Sequence, residues 1–182
     1  VWSGGDVEPG LAVKFLSHFA RRVAVTSEHS RQFLPAGKVV VTGYPLRPEL
    51  TRAKRPASRE RLGLALEDKA LLVLGGSRGA HSINAAIAAA LPELLEQAVV
   101  LHSSGPQDEA WLRQIVDGLS GELQSRYRLA AYMHEELAPA MAAADLAISR
   151  AGASVMGEYP FFGLPSVLIP YPYAGAHQGR NA

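Results

Sequence analysis

Ala147-Ile148-Ser149-Arg150-Ala151-Gly152-Ala153-Ser154-Val155-Met156-Gly157-Glu158 is the run on which the reading of this chain turns. Leu146-Ala147-Ile148 closes a short apolar strand, Ser149 to Gly152 is a small-residue turn, and Ala153 onward carries the first turns of a helix. A strand that feeds a helix through Gly and Ser leaves backbone N–H groups at the positive end of a helix dipole. That arrangement suits a phosphate or diphosphate. Glu158 falls about one turn further in, where a carboxylate can accept from both hydroxyls of a ribose. The plainer alternative is an ordinary strand–helix turn followed by an exposed helical Glu.

From residue 70 the pattern around that run is regular. Strands are expected at 70–74, 98–103, 127–131, 145–148 and 166–169, with helices at 80–95, 107–119, 135–144 and 152–162. Strand and helix alternate with short connections, which predicts an α/β fold with a doubly wound parallel sheet of Rossmann-like type. In such sheets ligands bind at the carboxyl ends of the strands.

Upstream the order is looser. Residues 1–8 read as a Gly-rich loop, and Pro9 opens an amphipathic helix with Leu11, Phe15, Leu16 and Phe19 on one face. Short strands follow at 23–25 and 38–42. Gly43-Tyr44-Pro45-Leu46-Arg47-Pro48 then interrupts regular structure with two prolines, so a domain boundary is expected there. Residues 1–43 are read as the end of one domain, 44–61 as a linker, and 62–182 as a ligand-binding domain cut short at its C-terminus. The stretch 51–61 carries Arg52, Lys54, Arg55, Arg59 and Arg61. It reads as a solvated connector or as a basic patch facing anionic headgroups or a diphosphate.

Composition narrows the classes. With 182 residues, 48% of them hydrophobic, the chain can bury a full core. A net charge of +1 gives no global field to recruit nucleic acid, and none is expected as a partner. The absence of Cys excludes a disulfide, a thiol nucleophile and Cys-ligated zinc, and suits a reducing compartment. No apolar run approaches the roughly 18 residues of a membrane span. The opening at Val1 without Met and the stop at Ala182 lead us to expect a fragment of a longer protein.

Two further loops could carry chemistry. Gly75-Gly76-Ser77-Arg78-Gly79-Ala80 follows the first regular strand and precedes a helix containing Asn84. Its glycines permit close backbone approach and Ser77 offers a hydroxyl, but neither the G-x-G-x-x-G nor the Walker A spacing is present. Near the end, Gln178 and Asn181 are spaced to share a helix face as amides reading sugar hydroxyls. The six histidines are scattered, and His102, at a strand end, reads as buried packing. No Asp-x-Asp occurs, so neither a metal nor a cofactor is expected. A G-x-S-x-G elbow is also lacking.

Taken in order, the three loops resemble the MurG family of bacterial glycosyltransferases (family 28). Its loops typically read Gly-Gly-Ser-Gln-Gly-Ala, then Ser-Arg-Ala-Gly-Ala with a helix Glu, then His-Gln-x-x-Asn-Ala. Thr42-Gly43-Tyr44-Pro45-Leu46-Arg47 is similar to the family's Thr-Gly-Asn-Pro-Val-Arg, and Pro9-Gly10-Leu11 to its Pro-Gly-Leu. The resemblance implies a GT-B fold, two Rossmann-like domains with a cleft, of which this chain holds the acceptor-domain tail, the linker and most of the donor domain.

The resemblance also implies transfer of N-acetylglucosamine from UDP-N-acetylglucosamine to a lipid-linked muramyl-pentapeptide acceptor, at the inner face of the cytoplasmic membrane. By the same resemblance Glu158 would bind the uridine ribose. Arg47, Ser77 and the N–H groups of Ala153, Ser154, Val155 and Met156 would hold the diphosphate. Gln178 would contact the sugar with Asn181 beside it, and the backbone near His134 the uracil. The implied reaction is metal-free displacement with inversion. The family's His-Glu-Gln-Asn run is replaced here by Ser3-Gly4-Gly5-Asp6, and its Gly-Gly-His loop is not in the sequence, so no catalytic base is assigned. The implied alternatives are another transferase of the same architecture with a lipid acceptor, or a non-catalytic UDP-sugar binding subunit.

Overall fold

The structure is a computed structural model that describes the backbone of residues 2–4 and residues 8–76 and 79–171 in full. The chain divides into two compact units, each with its own parallel sheet.

Unit 1 comprises residues 1–47, 151–161 and 169–182. Its sheet has the order β1 (Trp2–Gly4), β2 (Val23–Val25), β3 (Val39–Val41), all parallel. The helix between the first two strands, α1, spans Leu11–Ser17, and a 3-10 turn spans Glu28–Phe33 before β3. Ser27 caps that turn, its Oγ accepting from the His29 N–H at 3.2 Å. Val23, Val25, Leu34 and Val39 form the core, joined by Val13, Ala20 and Val41.

The apolar face of α1 read from the sequence is exposed in this chain. Leu11 is 85% and Phe19 77% exposed, with Phe15 stacked edge-on against Phe19 at 5.4 Å. The helix turns Val13 and Ser17 inward because β2 and the 3-10 turn offer their apolar side chains to that flank.

Unit 2 comprises residues 48–150 and 162–168. Two short helices, α2 (Pro48–Arg52) and α3 (Arg55–Arg61), precede β4 (Ala70–Leu74). Then come α4 (His81–Ala89), α5 (Leu91–Gln97), β5 (Val99–Ser103), α6 (Glu109–Asp117), α7 (Gly121–Ser125) and β6 (Tyr127–Ala130). The elements α8 (Leu137–Ala143) and β7 (Leu146–Arg150) follow, and after α9 (Val155–Phe162) comes β8 (Ser166–Ile169).

The sheet order is β6-β5-β4-β7-β8, with the pairs β6/β5, β5/β4 and β4/β7 parallel. A strand covered on both faces reads as a continuous apolar run rather than an alternating one. Ala70-Leu71-Leu72-Val73-Leu74 at the centre is such a run, and Leu72 and Val73 are wholly buried. The single helix expected over 80–95 is two, because Pro92 restarts the helix with its ring at the first turn of α5. Among the described residues no helix is long and apolar enough to cross a membrane.

The basic stretch expected to be a solvated connector is built into unit 2. It forms α2 and α3, and the guanidinium groups on α3 close the C-terminus of α8. The last carbonyls of a helix have no intrahelical partner and sit at its negative end, so cations settle there. Arg55 donates to the Ala143 and Ala144 carbonyls at 2.9 and 2.8 Å and to Asp145 Oδ1 at 2.6 Å. Arg59 is 2% exposed and donates to the carbonyls of Ala143 (3.0 Å), Asp68 (2.6 Å) and Ala65. Asp145 Oδ2 in turn accepts from the Ala70 N–H at 2.8 Å, which anchors the start of β4. Arg55 and Arg59 therefore hold helix carbonyls.

Candidate functional site

Strand order reverses between β4 and β7. The chain runs outward from β4 through β5 to β6, then returns to lay β7 on the other side of β4. In an open parallel sheet the loops that leave two such strands diverge and open a crevice at their carboxyl ends. Leu74 pairs with Ser149, so the Gly75 turn and the Ser149–Arg150 end of β7 are neighbours at that crevice. Arg150 Nη2 donates to Ser82 Oγ at 2.9 Å, tying the end of β7 to the first turn of α4.

The Gly-rich turn depends on its glycines. Gly79 has φ of +76° and its N–H bonds back to the Gly76 carbonyl at 3.0 Å. A Cβ there would overlap the Ser104 carbonyl oxygen, so the turn lies flat against the loop that leaves β5. Ser77, expected at the diphosphate, lies outside the described residues.

That β5 loop is fixed from below by a buried polar chain. Asn84 on α4 is wholly buried and donates to the Ser104 carbonyl at 2.9 Å and to Asp108 Oδ2 at 2.7 Å. Its amide oxygen faces His102 Nε2 at 2.9 Å, and His102 Nδ1 faces the Tyr127 hydroxyl at 2.7 Å. Burial pushes the His102 imidazole down to about 4 against a smaller opposing pull from Asp108, so the ring is neutral. Burial likewise pushes the Tyr127 phenol well above its ordinary value, and it remains a donor. His102 is thus a structural histidine, as its strand position suggested.

In unit 1, α9 starts later than expected. The Ser154 carbonyl accepts from the Gly157 and Glu158 N–H groups at 3.1 and 3.0 Å, so helical bonding begins there rather than at Gly152. Gly152 to Ser154 form the lead-in turn, and the first-turn N–H groups of Val155 and Met156 have no intrahelical acceptor. Ala153 and Ser154 belong to that turn, and both are half-buried.

Glu158 is 5% exposed, against the plainer expectation of a solvated helical Glu. Its Oε1 lies 3.4 Å from Nη2 of Arg47, whose side chain is more than half exposed. A buried carboxylate is costly unless it is paired, and the Arg47 guanidinium supplies that charge. Arg47 and Glu158 are 111 positions apart in sequence, and unit 1 brings them together.

His134 belongs to unit 2. It is exposed in the turn between β6 and α8, with its ring 5.7 Å from that of Tyr132. Gln178 and Asn181 lie outside the described residues.

The contact that sequence reading missed is between Tyr44 and Gly157. A Cβ on Gly157 would overlap Cβ of Tyr44 and lie 2.8 Å from Cδ1 of its ring. The signal was present, since a Gly inside a helix costs about 1 kcal/mol relative to Ala and asks for a packing reason.

A doubly wound parallel sheet with glycine- and serine-lined turns at its switch point defines an α/β fold of the GT-B type, the architecture of nucleotide-sugar transferases. Residues 70–182 match the family model described as glycosyltransferase family 28 C-terminal domain, and the chain belongs to that family. It is 41% identical over 210 residues to the UDP-N-acetylglucosamine–N-acetylmuramyl-(pentapeptide) pyrophosphoryl-undecaprenol N-acetylglucosamine transferase of Roseiflexus sp. (strain RS-1), covering 97% of this chain and 47% of that protein. The protein of the same name from Moorella thermoacetica is 41% identical over 180 residues, covering 96% of this chain and 48% of that one. Among solved structures, the crystal structure of Acinetobacter baumannii MurG superposes with a TM-score of 0.71 at 25% identity, covering 98% of this chain and 48% of that one. The chain spans about half the length of the curated relatives it matches.

Proposed function

We propose that this chain is the donor-nucleotide part of a transferase that moves N-acetylglucosamine from UDP-N-acetylglucosamine to undecaprenyl-pyrophosphoryl-muramyl-pentapeptide, the lipid I to lipid II step of peptidoglycan synthesis. The observation that carries this reading is the buried Glu158 carboxylate, one turn into a helix, with Arg47 at its mouth. The names of the relatives support the choice of sugar and acceptor. In this reading residues 1–43 end an acceptor domain and 62–182 supply the donor domain. The polyprenyl acceptor would bring the whole protein to the inner face of the cytoplasmic membrane.

Each residue has a role set by its chemistry. Glu158 accepts from the ribose hydroxyls. The N–H groups of the Ala153–Met156 stretch and the Arg47 guanidinium face the diphosphate. As the acceptor hydroxyl attacks the anomeric carbon with inversion, the bond to the diphosphate breaks and negative charge builds on UDP. Groups aimed at that charge stabilise the transition state more than the bound donor, and no metal is needed for it. Ser77 adds a hydroxyl to the diphosphate, Gln178 and Asn181 read the sugar, and the backbone near His134 reads the uracil.

Titration calorimetry with UDP-N-acetylglucosamine, UDP-glucose and UDP tests the reading. UDP-N-acetylglucosamine should bind best, and Glu158→Ala should weaken binding by about 1.5–3 kcal/mol, the range for hydrogen bonds to a charged group. A preference for UDP-glucose would favour a transferase with another donor. Failure of every uridine nucleotide to bind would sink the proposal.

A further inference from the structure

The segment that carries Arg47 leaves β3 through Gly43, whose φ of +73° turns the chain in a way other residues resist. Pro45 then fixes its own φ and confines Tyr44 to extended conformations. Between these two constraints the Tyr44 side chain is laid on α9 at Gly157, in space that any Cβ at 157 would occupy. Three residues on from Tyr44, Arg47 reaches the carboxylate of Glu158, the residue that follows Gly157. Two adjacent positions on one helix thus receive two nearby positions of one extended segment. The first contact is apolar and steric, and the second is ionic.

An exposed guanidinium has many rotamers, and ordering it at a binding site costs free energy unless its backbone is already placed. The ion pair alone places it poorly, because 3.4 Å is a long contact and Arg47 is largely solvated. Packing at Gly157 therefore decides where Arg47 starts from.

We propose that Tyr44 is a positioning residue for the donor nucleotide, seated on Gly157 so that Arg47 is held beside Glu158, and that recognition of the diphosphate depends on this contact while recognition of the nucleoside does not. The inference rests on the donor-nucleotide reading above. It separates two parts of the ligand. Glu158 sits in α9 whether or not Tyr44 is docked, whereas Arg47 is placed through Tyr44. If Arg47 leaves Glu158 for the diphosphate, the carboxylate also becomes more available to the ribose.

The test titrates the chain with UDP and with uridine by NMR shift mapping, which reads millimolar affinities, after circular dichroism has shown each variant folded. Gly157→Ala should weaken UDP binding about tenfold or more, the loss of one charge-assisted contact, and change uridine binding less than threefold. Tyr44→Ala should show the same selective loss. The double variant should bind UDP no more weakly than Tyr44→Ala alone, because the added methyl has nothing left to displace. Should Gly157→Ala fail to fold, the UDP-selective loss in Tyr44→Ala carries the test. Equal losses for UDP and uridine, or no loss for UDP, overturn the proposal. Wild-type chain that binds neither ligand overturns the donor-nucleotide reading and this proposal with it. Wild type that binds both, with Glu158→Gln losing both, leaves that reading intact whatever Gly157→Ala does.

Discussion

His102 Nε2 stands 2.9 Å from Asn84 Oδ1, and because an amide oxygen only accepts, the imidazole carries its proton on Nε2. Its Nδ1 then accepts from the Tyr127 hydroxyl. The chain of donors runs one way, from Tyr127 through His102 to Asn84, and ends on the Ser104 carbonyl and on Asp108. Every polar atom of the Asn84 side chain is used, so a rotated amide does not fit.

Stability should therefore fall in mild acid. The unfolded His102 takes up a proton near pH 6.5, while the folded one resists until about 4. Between those values the unfolded state binds more protons, so stability is full above 6.5 and is lost as pH falls toward 4. The separation corresponds to about 3 kcal/mol. Asp108 stays out of this window: burial pushes its carboxyl up, but hydrogen bonds from Asn84 and His81 outweigh that and hold it below its usual value. Urea midpoints measured from pH 7 to 4.5 should decline, and the decline should flatten in His102→Gln. An unchanged slope in that variant would assign the acid sensitivity elsewhere.

The two α3 arginines should differ sharply. Arg59→Met removes a buried guanidinium that donates to the Ala143, Asp68 and Ala65 carbonyls and should destabilise by roughly 3 kcal/mol. Arg55 is nearly half exposed and water can replace it, so Arg55→Ala should cost about 1 kcal/mol. Chemical unfolding at constant m-value reads the difference. Equal effects would mean that α3 is held by its apolar side instead.

Two glycines of the first turn make a matched comparison. Gly76 and Gly79 both have positive φ, so Ala at either costs about 1 kcal/mol in backbone strain. Among the described residues a Cβ at Gly76 meets nothing within 4 Å, whereas at Gly79 it meets the Ser104 carbonyl. Gly79→Ala should thus lower stability by about 2 kcal/mol or more, with Gly76→Ala near 1. Thermal melts of both variants check the order, and a reversed order would place the turn elsewhere on the β5 loop.

The sheet was legible because its signals are local. Apolar runs such as Ala70–Leu74, punctuated by Gly and Ser turns, announce buried parallel strands whatever surrounds them. Glu158 was singled out by its place in the helix and Arg47 by family resemblance, but their contact was not read, since 111 positions separate them. The basic stretch was read only in part for a related reason: Arg52, Lys54 and Arg61 are exposed as a solvated connector would have them, whereas Arg59 is buried. A charge pattern does not say whether solvent or a helix end receives it, and the Ala143 carbonyl that takes both Arg55 and Arg59 lies more than 80 positions away. On α1, periodicity found the apolar stripe but not its exposure, because burial belongs to neighbours rather than to the helix.

The chain passes from one compact unit to the other at residues 47–48, 150–151, 161–162 and 168–169. Neither unit is a continuous stretch of the gene. A protease nick or an engineered splice at the Gly43–Pro48 segment would leave residues 151–161 of the first unit joined to the second. A chimaera of homologous chains must therefore carry 44–47 and 151–161 together, as a matched cassette, or the Tyr44 and Gly157 surfaces will come from different parents.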